Sequence, residues 1–220
     1  LAISPAAKGR RKVVLATTIA QTSLTIEGIR VVVDSGLARV PVFEPATALT
    51  RLETRTISKA SATQRQGRAG RMEDGVCYRL WSKGQNAARP EFDTPEILAA
   101  DLTPLVLSLA AWGVTDPKQM QFVDQPPGPA WSEATMLLQK LDALDSNGQI
   151  TEQGRILAAY PIHPRLAHMI SRGQISGNAQ QAAEIAALVS EHGLGGEAVD
   201  LEDRLRVFLA DKSPRAKDAK

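Results

Sequence analysis

The sequence predicts an α/β fold with a parallel sheet in its first part and helices in the rest. Short apolar runs rich in β-branched residues, KVVLAT (12–17) and IRVVVDSG (29–36), are typical of strands. Because these runs are continuous rather than alternating, they favour a parallel sheet that is covered on both faces. Beyond residue 86, apolar residues recur at spacings of three and four, which indicates helices.

The other strands of the first part are predicted from similar patterns. LARVPVF and LTRLETRTI flank EPATA, which predicts a hairpin over residues 37–56 with an exposed loop. GVCYRLW (75–81) predicts another buried strand. The polar, proline-bearing segment GQNAARPEFDTPE (84–96) then predicts a domain boundary.

Two helices and a turn are predicted next. Pro104 kinks or splits a helix whose apolar face comprises Leu98, Leu102, Leu105, Val106, Leu109 and Trp112. DQPPGPAW (124–131) predicts a linker. SEATMLLQKLDAL predicts a helix capped at Ser132, with one apolar side made of Leu137, Leu138, Leu141 and Leu144. The Asn-Gly pair of DSNGQIT predicts a hairpin turn. Helix, helix and two-stranded turn together favour a winged-helix module.

Residues 161–220 are predicted to be all-helical. Pro161 and Pro164 end one helix and begin the next. NAQQAAEIAALVSEHG predicts an alanine-rich helix that ends at Gly193. LEDRLRVFLA predicts a further helix, which a basic polar tail follows.

Composition limits the class of protein. The one cysteine, Cys77, excludes an internal disulfide and favours a reducing compartment, so we expect a cytoplasmic location. No apolar run reaches about 18 residues, so no membrane span is expected. The chain begins abruptly and without a signal peptide, which predicts a piece of a longer protein. Residues 1–85 carry 14 Lys/Arg against 6 Asp/Glu, a net charge of +8, whereas residues 86–220 carry 12 against 18, a net charge of −6. The basic part indicates either a polyanionic partner or a solvated surface.

The segment QRQGRAGR (64–71) is unusual for a helix, because each glycine costs about 1 kcal/mol in a helix interior. Placed on a helix, it gathers long polar side chains in one narrow arc beside bare backbone, namely Gln64, Arg68 and Arg71 with Gly67 and Gly70. Guanidinium groups donate bidentately to phosphate oxygens and stay charged. The pattern predicts a phosphate-binding ridge, with a solvated basic helix as the alternative. Arg65 lies off the arc, where a structural role is expected.

These residues carry a family resemblance. QRQGRAGR resembles motif VI of superfamily 2 helicases, and ISKASATQRQGRAGR extends the match. ATTIAQTSLTIEGIRVVVDSG (16–36) resembles motif V of the DEAH-box branch, usually written ATNIAETSLTI. PEILAADLTPLVLSLAAWGV and TEQGRILAAYPIHPRLAHMI are similar to its winged-helix and helicase-associated segments. DSGLAR and AAWGV most resemble the bacterial HrpB-type DEAH-box RNA helicases. The resemblance covers most of residues 1–175.

The resemblance implies the C-terminal portion of an ATP-dependent RNA helicase. Its parts would be an incomplete second RecA-like lobe (1–86), a winged-helix domain (87–160) and a truncated helical domain (161–220). In this family, ATP and Mg²⁺ lie between two RecA-like lobes, and the first lobe carries the P-loop and the DEAH box. Neither G-x-x-x-x-G-K-[ST] nor D-E-A-H occurs in this sequence. The implied partners are therefore that first lobe and single-stranded RNA, and this chain alone is expected not to hydrolyse ATP.

The resemblance also assigns roles on the nucleotide side. Arg68 and Arg71 would be arginine fingers that neutralise charge on the transferred phosphoryl group. Gln64 would orient the attacking water or a γ-phosphate oxygen. The two glycines, Gly67 and Gly70, would allow close approach to the nucleotide. In addition, Glu27 stands where the family often has an aspartate near the ribose.

On the RNA side, the resemblance implies that Thr17, Thr18 and Thr22 donate hydroxyl hydrogen bonds to phosphates, contacts that carry no sequence information. The alternative for Thr22 is a helix cap. Thr18 replaces the usual asparagine, which shortens its reach. Gln21 replaces the usual glutamate, which removes a charge that could link motif V to the ATP site. The hairpin over 37–56 matches the position of the family's strand-separating hairpin, with a plain surface hairpin as the alternative.

Two other functions remain open at this point. A non-catalytic nucleic-acid-binding module with a vestigial helicase lobe would explain the altered motif V positions. A DNA-directed superfamily 2 helicase would share both motifs. His163, Arg165 and His168 cluster near one predicted helix start, where structural packing or solvent exposure is the simpler interpretation.

Overall fold

The structure is a computed structural model that describes residues 4, 9–21, 26–44, 49–71, 73–191 and 193–219. Contacts between Cα atoms divide the chain into two compact units, Leu1–Asp101 and Leu102–Lys220. The first unit contains the strands and two of the helices, and the second is helical.

The first unit is built on two small sheets. Its strands are β1 (Val31–Asp34), β2 (Leu37–Glu44), β3 (Leu49–Thr56) and β4 (Val76–Arg79). Its helices are α1 (Lys59–Gln66) and α2 (Lys83–Ala87), with 3-10 turns at Thr18–Ala20 and Glu96–Leu98. Strands β1 and β4 pair in parallel, with Val31 opposite Val76. Strands β2 and β3 form the predicted hairpin, with Leu37 opposite Thr56. The hairpin's tip, 45–48, lies outside the described residues.

The parallel pairing is confirmed, but the prediction of a strand at 12–17 is wrong. That segment has no strand assignment, and Val13 and Leu15 are 86% and 94% exposed. An extended segment becomes a strand only when a neighbour takes its hydrogen bonds. Among the described residues, the parallel sheet consists of β1 and β4 alone.

The prediction that both faces of the sheet are covered is also wrong for the described residues. On one face, Val31 and Val33 of β1 and their partners Val76 and Tyr78 of β4 are exposed. The opposite face lies against α1, and it holds the buried Asp34. Burial on this sheet therefore alternates along the strand, although the sequence of β1 is continuously apolar.

The second unit is an arrangement of helices around small apolar clusters. Its helices are α3 (Thr103–Ala111), α4 (Gly128–Lys140), α5 (Glu152–Ala158), α6 (Pro164–Ile175), α7 (Ala179–Ser190), α8 (Leu201–Ala210) and α9 (Pro214–Ala219). A 3-10 turn spans Pro117–Gln119. The predicted hairpin of DSNGQIT is reduced to one antiparallel bridge between Leu144 and Ile150.

Prolines set several helix boundaries as predicted. Pro104 lies in the first turn of α3, so it separates this helix from the 3-10 turn that ends at Leu98. Leu98 consequently lies outside α3 and is exposed, and Trp112, the C-cap at the other end of α3, is also exposed. Pro164 begins α6, and His163 caps it by accepting a hydrogen bond from the Arg165 amide at 3.2 Å. The structural interpretation of His163 therefore holds.

Two predicted boundaries are wrong. Helix α4 begins at Gly128 rather than Ser132, because Pro129 fits its first turn, so half of the predicted linker is helical. The predicted basic tail contains α9, whose Ala216 is buried against Leu188 and Phe208. Apolar packing thus orders a segment whose composition alone favours a solvated tail.

Candidate functional site

Helix α1 carries the first three residues of QRQGRAGR, and the chain beyond β4 fixes the start of the helix. Ser58 caps the helix, since its hydroxyl accepts a hydrogen bond from the Ser61 amide at 3.0 Å. Asp93 accepts hydrogen bonds from the Ser58 amide at 3.2 Å and from the Ser61 hydroxyl. Carbonyl groups of residues 90–91 accept the next two amides of α1 at 2.9 and 3.0 Å. The backbone amides of residues 58–61, at the start of α1, therefore all donate hydrogen bonds within the protein.

The position at which α1 ends differs from the prediction of one helix through residues 64–71. The helix stops at Gln66 with Gly67 as its C-cap, and residues 67–71 form a turn. Gln64, Arg68 and Arg71 therefore do not share one helical arc, and the geometric argument for a ridge is wrong. Glycine is a poor helix former, so two glycines in five residues weaken any continuation.

Tertiary packing explains the rest of that helix end. Ala69 is only 2% exposed, and a Cβ placed on Gly75 would lie 1.9 Å from the Ala69 carbonyl oxygen. The turn is thus pressed against the start of β4, and only glycine allows this approach at position 75. A continued helix would carry Ala69 away from that contact.

Gln21 is the centre of a hydrogen-bond network on α1. Its Nε2 donates to Ser61 Oγ at 2.6 Å and to Gln64 Oε1 at 3.2 Å. Its Oε1 accepts from Arg65 Nε at 3.2 Å, and its backbone carbonyl accepts from the Arg68 guanidinium. The structure therefore brings Gln64 and Arg68 together through Gln21 rather than through a shared helix face.

Arg65 forms the buried part of this network. Its Nη1 donates to Asp34 Oδ1 at 2.9 Å and to the Leu37 carbonyl at 3.1 Å. The Arg65 and Asp34 side chains are 16% and 2% exposed. Asp34 Oδ1 also accepts the Gly36 amide at 2.9 Å. Removing either partner of a buried ion pair leaves an uncompensated charge, so this pair is expected to be sensitive to substitution.

Of the other predicted site residues, those that the structure describes lie at the surface. Thr17 and Thr18 are exposed, and Thr17 makes no capping hydrogen bond to the 3-10 turn that follows it. Thr22 lies outside the described residues. Glu27 occupies an exposed turn before β1. None of the hydrogen bonds that Gln21 makes to described residues reaches these side chains.

The glycine-rich turn is open to solvent at its far end. Gly70 and Arg71 are exposed, and a Cβ added to Gly70 would meet no atom within 4 Å. Arg68 is half-buried and Gln64 is exposed. The surface at this end of α1 thus presents guanidinium and amide groups, which are suited to binding phosphate oxygens.

Sequence reasoning missed Asp93 and the partners of Gln21. Gln21 departed visibly from the pattern of related sequences, but its partners lie 40 or more positions away in the chain. Asp93 has no signal in the sequence, since it is one acidic residue in a polar segment. Among the described residues, no group of three acidic, His or Cys side chains is arranged to hold a metal ion. No helix in the described part of the chain is long and apolar enough to cross a membrane.

Two family models match the chain. The helicase conserved C-terminal domain matches residues 2–73, and the helicase associated domain (HA2), winged-helix, matches residues 134–162. The first match contains α1 and the whole Gln21 network except Asp93. The second contains most of α4, the Leu144–Ile150 bridge and α5.

Curated relatives agree with these models. The chain is 49% identical over 190 residues to the ATP-dependent RNA helicase HrpB of Escherichia coli, covering 86% of this chain and 23% of that protein. It is 39% identical over 185 residues to the ATP-dependent RNA helicase HrpA of the same organism, covering 82% of this chain and 14% of that protein. The chain thus spans about a quarter or less of these relatives.

Solved structures match over almost the whole chain. The crystal structure of the E. coli DExH-box NTPase HrpB superimposes with a TM-score of 0.80 at 44% identity, covering 99% of this chain and 26% of that one. The crystal structure of the E. coli DEAH/RHA helicase HrpB gives 0.81 at 43% identity, covering 96% and 29%. The predicted architecture of a RecA-like lobe followed by winged-helix and helical parts is confirmed. The chain thus corresponds to the C-terminal region of DEAH/RHA helicases, the region that carries their conserved C-terminal and winged-helix HA2 domains.

Proposed function

We propose that this chain supplies the second RecA-like lobe (1–86), the winged-helix domain (87–160) and part of the helical domain (161–220) of a cytoplasmic ATP-dependent RNA helicase. One observation carries the proposal. Gln21 joins Gln64 and Arg68, the residues expected to contact the nucleotide, to the segment that holds Thr17 and Thr18, the residues expected to contact RNA. A helicase needs such a connection, because hydrolysis at one site must change the grip on RNA at the other.

On the nucleotide side, Arg68 and Arg71 act as arginine fingers. Their guanidinium groups neutralise the charge that develops as water attacks the γ-phosphorus and the bond to the bridging oxygen breaks. Gln64 orients that water or a γ-phosphate oxygen. Gly67 and Gly70 keep the turn free of side chains beside the nucleotide. A further contact, from Glu27, reaches the ribose.

Most of the contacts to ATP and its Mg²⁺ come from the first RecA-like lobe. The P-loop and DEAH patterns that bind them are absent from these 220 residues. The residues present here fit the complementary role, since they offer exposed cationic and amide groups without a cluster of acidic ligands among the described residues. The chain by itself therefore does not hydrolyse ATP, and activity belongs to the full-length protein.

On the RNA side, the hydroxyl groups of Thr17, Thr18 and Thr22 donate to phosphates of a single strand. Such contacts hold the backbone without selecting a sequence. The hairpin of β2 and β3 acts as a steric wedge that separates strands. RNA is the expected substrate because curated relatives that the chain matches are named RNA helicases.

The decisive test is Arg68→Ala in the full-length protein. Loss of an arginine finger is expected to lower ATP turnover by about 10³–10⁵-fold while RNA affinity changes little. Arg30→Ala is the matched control, because Arg30 is exposed and pairs only loosely with Glu73 at 3.6 Å. Near-normal turnover in Arg68→Ala would remove the proposed role of this residue.

Measurements on the full-length wild-type protein distinguish the proposed function from its alternatives. RNA binding by the wild-type protein that is indifferent to ATP, with no hydrolysis, would favour a non-catalytic binding module. Unwinding of DNA duplexes that equals or exceeds that of RNA duplexes would favour a DNA-directed helicase. Faster unwinding of RNA, dependent on ATP, supports the proposal.

A further inference from the structure

We infer that Arg65 is a positioning residue that couples the nucleotide-side end of α1 to the β2–β3 hairpin. The inference rests on the proposed function, and it concerns a side chain that the motif pattern leaves without a role. The Arg65 side chain is 16% exposed, whereas its neighbour Gln64 is exposed.

One guanidinium group joins three separate segments. Arg65 Nε donates to Gln21 Oε1 at 3.2 Å, in the segment that holds the candidate RNA-binding threonines. Its Nη1 donates to Asp34 Oδ1 at 2.9 Å, at the end of β1. The same Nη1 donates to the carbonyl of Leu37 at 3.1 Å, and Leu37 is the first residue of β2. The side chain thus bonds directly to the base of the hairpin.

The hairpin is tied to α1 at both of its ends. At one end, β3 stops at Thr56, and only Ile57 and Ser58 separate it from the first residue of α1. At the other end, Arg65 holds Leu37, and Asp34 holds the intervening turn through the Gly36 amide at 2.9 Å. A shift of α1 therefore moves both strands of the hairpin together rather than bending one of them.

The planar guanidinium group of Arg65 is suited to fixing these segments relative to one another. Arginine presents a rigid, planar set of donors, so bonds from Nε and Nη1 fix the relative positions of their acceptors. Lysine keeps a positive charge beside Asp34, but its single ammonium group does not reproduce that fixed geometry. Arg65→Lys thus retains the charge balance of a buried pair while it removes the fixed connection among three segments.

The consequence concerns how much unwinding each ATP produces. If α1 moves when Arg68 and Gln64 engage the nucleotide, Arg65 transmits that movement to the hairpin. A protein in which Arg65 no longer fixes the hairpin to α1 would still hydrolyse ATP. Its hairpin, however, would move less when the nucleotide binds or is hydrolysed. Coupling between two sites typically amounts to about 5–150-fold in the affected equilibrium.

The experiment compares full-length wild type, Arg65→Lys and the exposed control Arg30→Lys. The substrate is an RNA duplex with a single-stranded overhang, and both ATP turnover and strand separation are measured. We expect the number of duplexes separated per ATP hydrolysed to fall about tenfold in Arg65→Lys, within the range typical of coupling between sites, with a smaller fall in turnover. The control is expected to match wild type in both. A parallel fall of turnover and unwinding, or an unchanged ratio, would overturn the inference.

A second measurement does not depend on activity. Hydrogen exchange of the β2 and β3 amides is compared with and without a non-hydrolysable ATP analogue. Wild type should show a change in the hairpin that Arg65→Lys lacks, whereas equal responses, or no response in wild type, would contradict the inference. If wild type bound the analogue but neither hydrolysed ATP nor unwound RNA, the proposed function would fail, and this exchange comparison would still decide the role of Arg65.

Discussion

Gln21 shows how one side chain can join two motifs. An amide both donates and accepts, so Gln21 donates to Gln64 while it accepts from Arg65. An ionised glutamate at this position would accept from Arg65 but could not donate to the Gln64 oxygen. The uncharged amide at position 21 therefore connects Gln64 and Arg65 through hydrogen bonds of both directions.

Cys77 provides a prediction at the same scale. It lies on β4 opposite Val32, where burial raises the pKa of its thiol, and the charge of Asp34 raises it further. Arg79 lowers the pKa by a smaller amount, through its charge and a hydrogen bond. A raised pKa keeps the thiol protonated to higher pH, and only the thiolate reacts with iodoacetamide. The midpoint of the pH–rate profile for alkylation of Cys77, followed by mass spectrometry of its peptide, should lie above that of the urea-unfolded protein.

Substitution of Asp34 tests whether its charge contributes to the raised pKa of Cys77. Asp34→Asn should move the midpoint towards lower pH, since the negative charge that disfavours the thiolate is gone. Glu73→Gln, which changes an exposed acid of the same unit, should leave the midpoint where it is. An unshifted midpoint in Asp34→Asn would show that the charge of Asp34 does not act on Cys77.

At the scale of elements, a buried arginine clamps the base of the hairpin. Arg89 is 7% exposed, and its Nη1 donates to the carbonyls of Gly36 and Ile57 at 3.0 and 2.8 Å. These residues flank the two ends of the hairpin, and the Ile57 amide donates to the Gly36 carbonyl at 3.1 Å. The Arg89 guanidinium also lies over the ring of Trp81, 4.3 Å from its centroid. The base of the hairpin is thus a rigid junction rather than a flexible linker.

Gly36→Ala tests that junction. Gly36 has φ of +71°, and an added Cβ would lie 2.3 Å from Arg89 Nη2 and 2.7 Å from the Trp81 ring. Backbone strain of about 1–2 kcal/mol adds to overpacking of about 1–3 kcal/mol, so the local free energy of unfolding should fall by about 2–5 kcal/mol. Hydrogen exchange of the β2 and β3 amides measures this change.

The matched control is Gly28→Ala. Gly28 has nearly the same backbone angle, φ of +75°, but an added Cβ would meet no atom within 4 Å. It should therefore cost only the strain, about 1–2 kcal/mol. Equal losses in the two variants would mean that the contact with Arg89 and Trp81 does not restrain the hairpin.

At the scale of the whole molecule, charge is divided between the two parts of the chain. Residues 1–85 carry a net charge of +8 and residues 86–220 carry −6. The phosphate backbone of RNA is attracted to the first part and repelled by the second. We therefore expect residues 1–85, rather than the acidic remainder of the chain, to dominate the electrostatic part of RNA binding.

Salt dependence of RNA binding measures this contribution. If the full-length protein neutralises about three phosphates of single-stranded RNA, its affinity should fall about twentyfold between about 50 and about 200 mM salt, because bound counterions are released. Charge-neutralising substitutions on the exposed surface of residues 1–85 should flatten that slope, whereas substitutions in 102–220 should not. A slope near zero in wild type would indicate that the basic part is a solvated surface without a phosphate-binding role.

The sequence by itself determined the features that depend on local pattern. The hairpin and the proline boundaries of α3 and α6 follow from residue type and spacing over a few positions. Backbone propensity and side-chain period act at that range. The family resemblance also rests on short motifs in a fixed order, and the comparisons confirm it.

Only the tertiary structure decided which residues meet. Helix α1 stops at Gln66 because Ala69 packs against Gly75, and Gln64 and Arg68 converge because both bond to Gln21, more than 40 residues earlier in the chain. Arg65, which the helical pattern separates from the site, connects Gln21 to the base of the hairpin for the same reason. Contacts between distant segments depend on how whole elements pack, and no local spacing in the sequence encodes that packing.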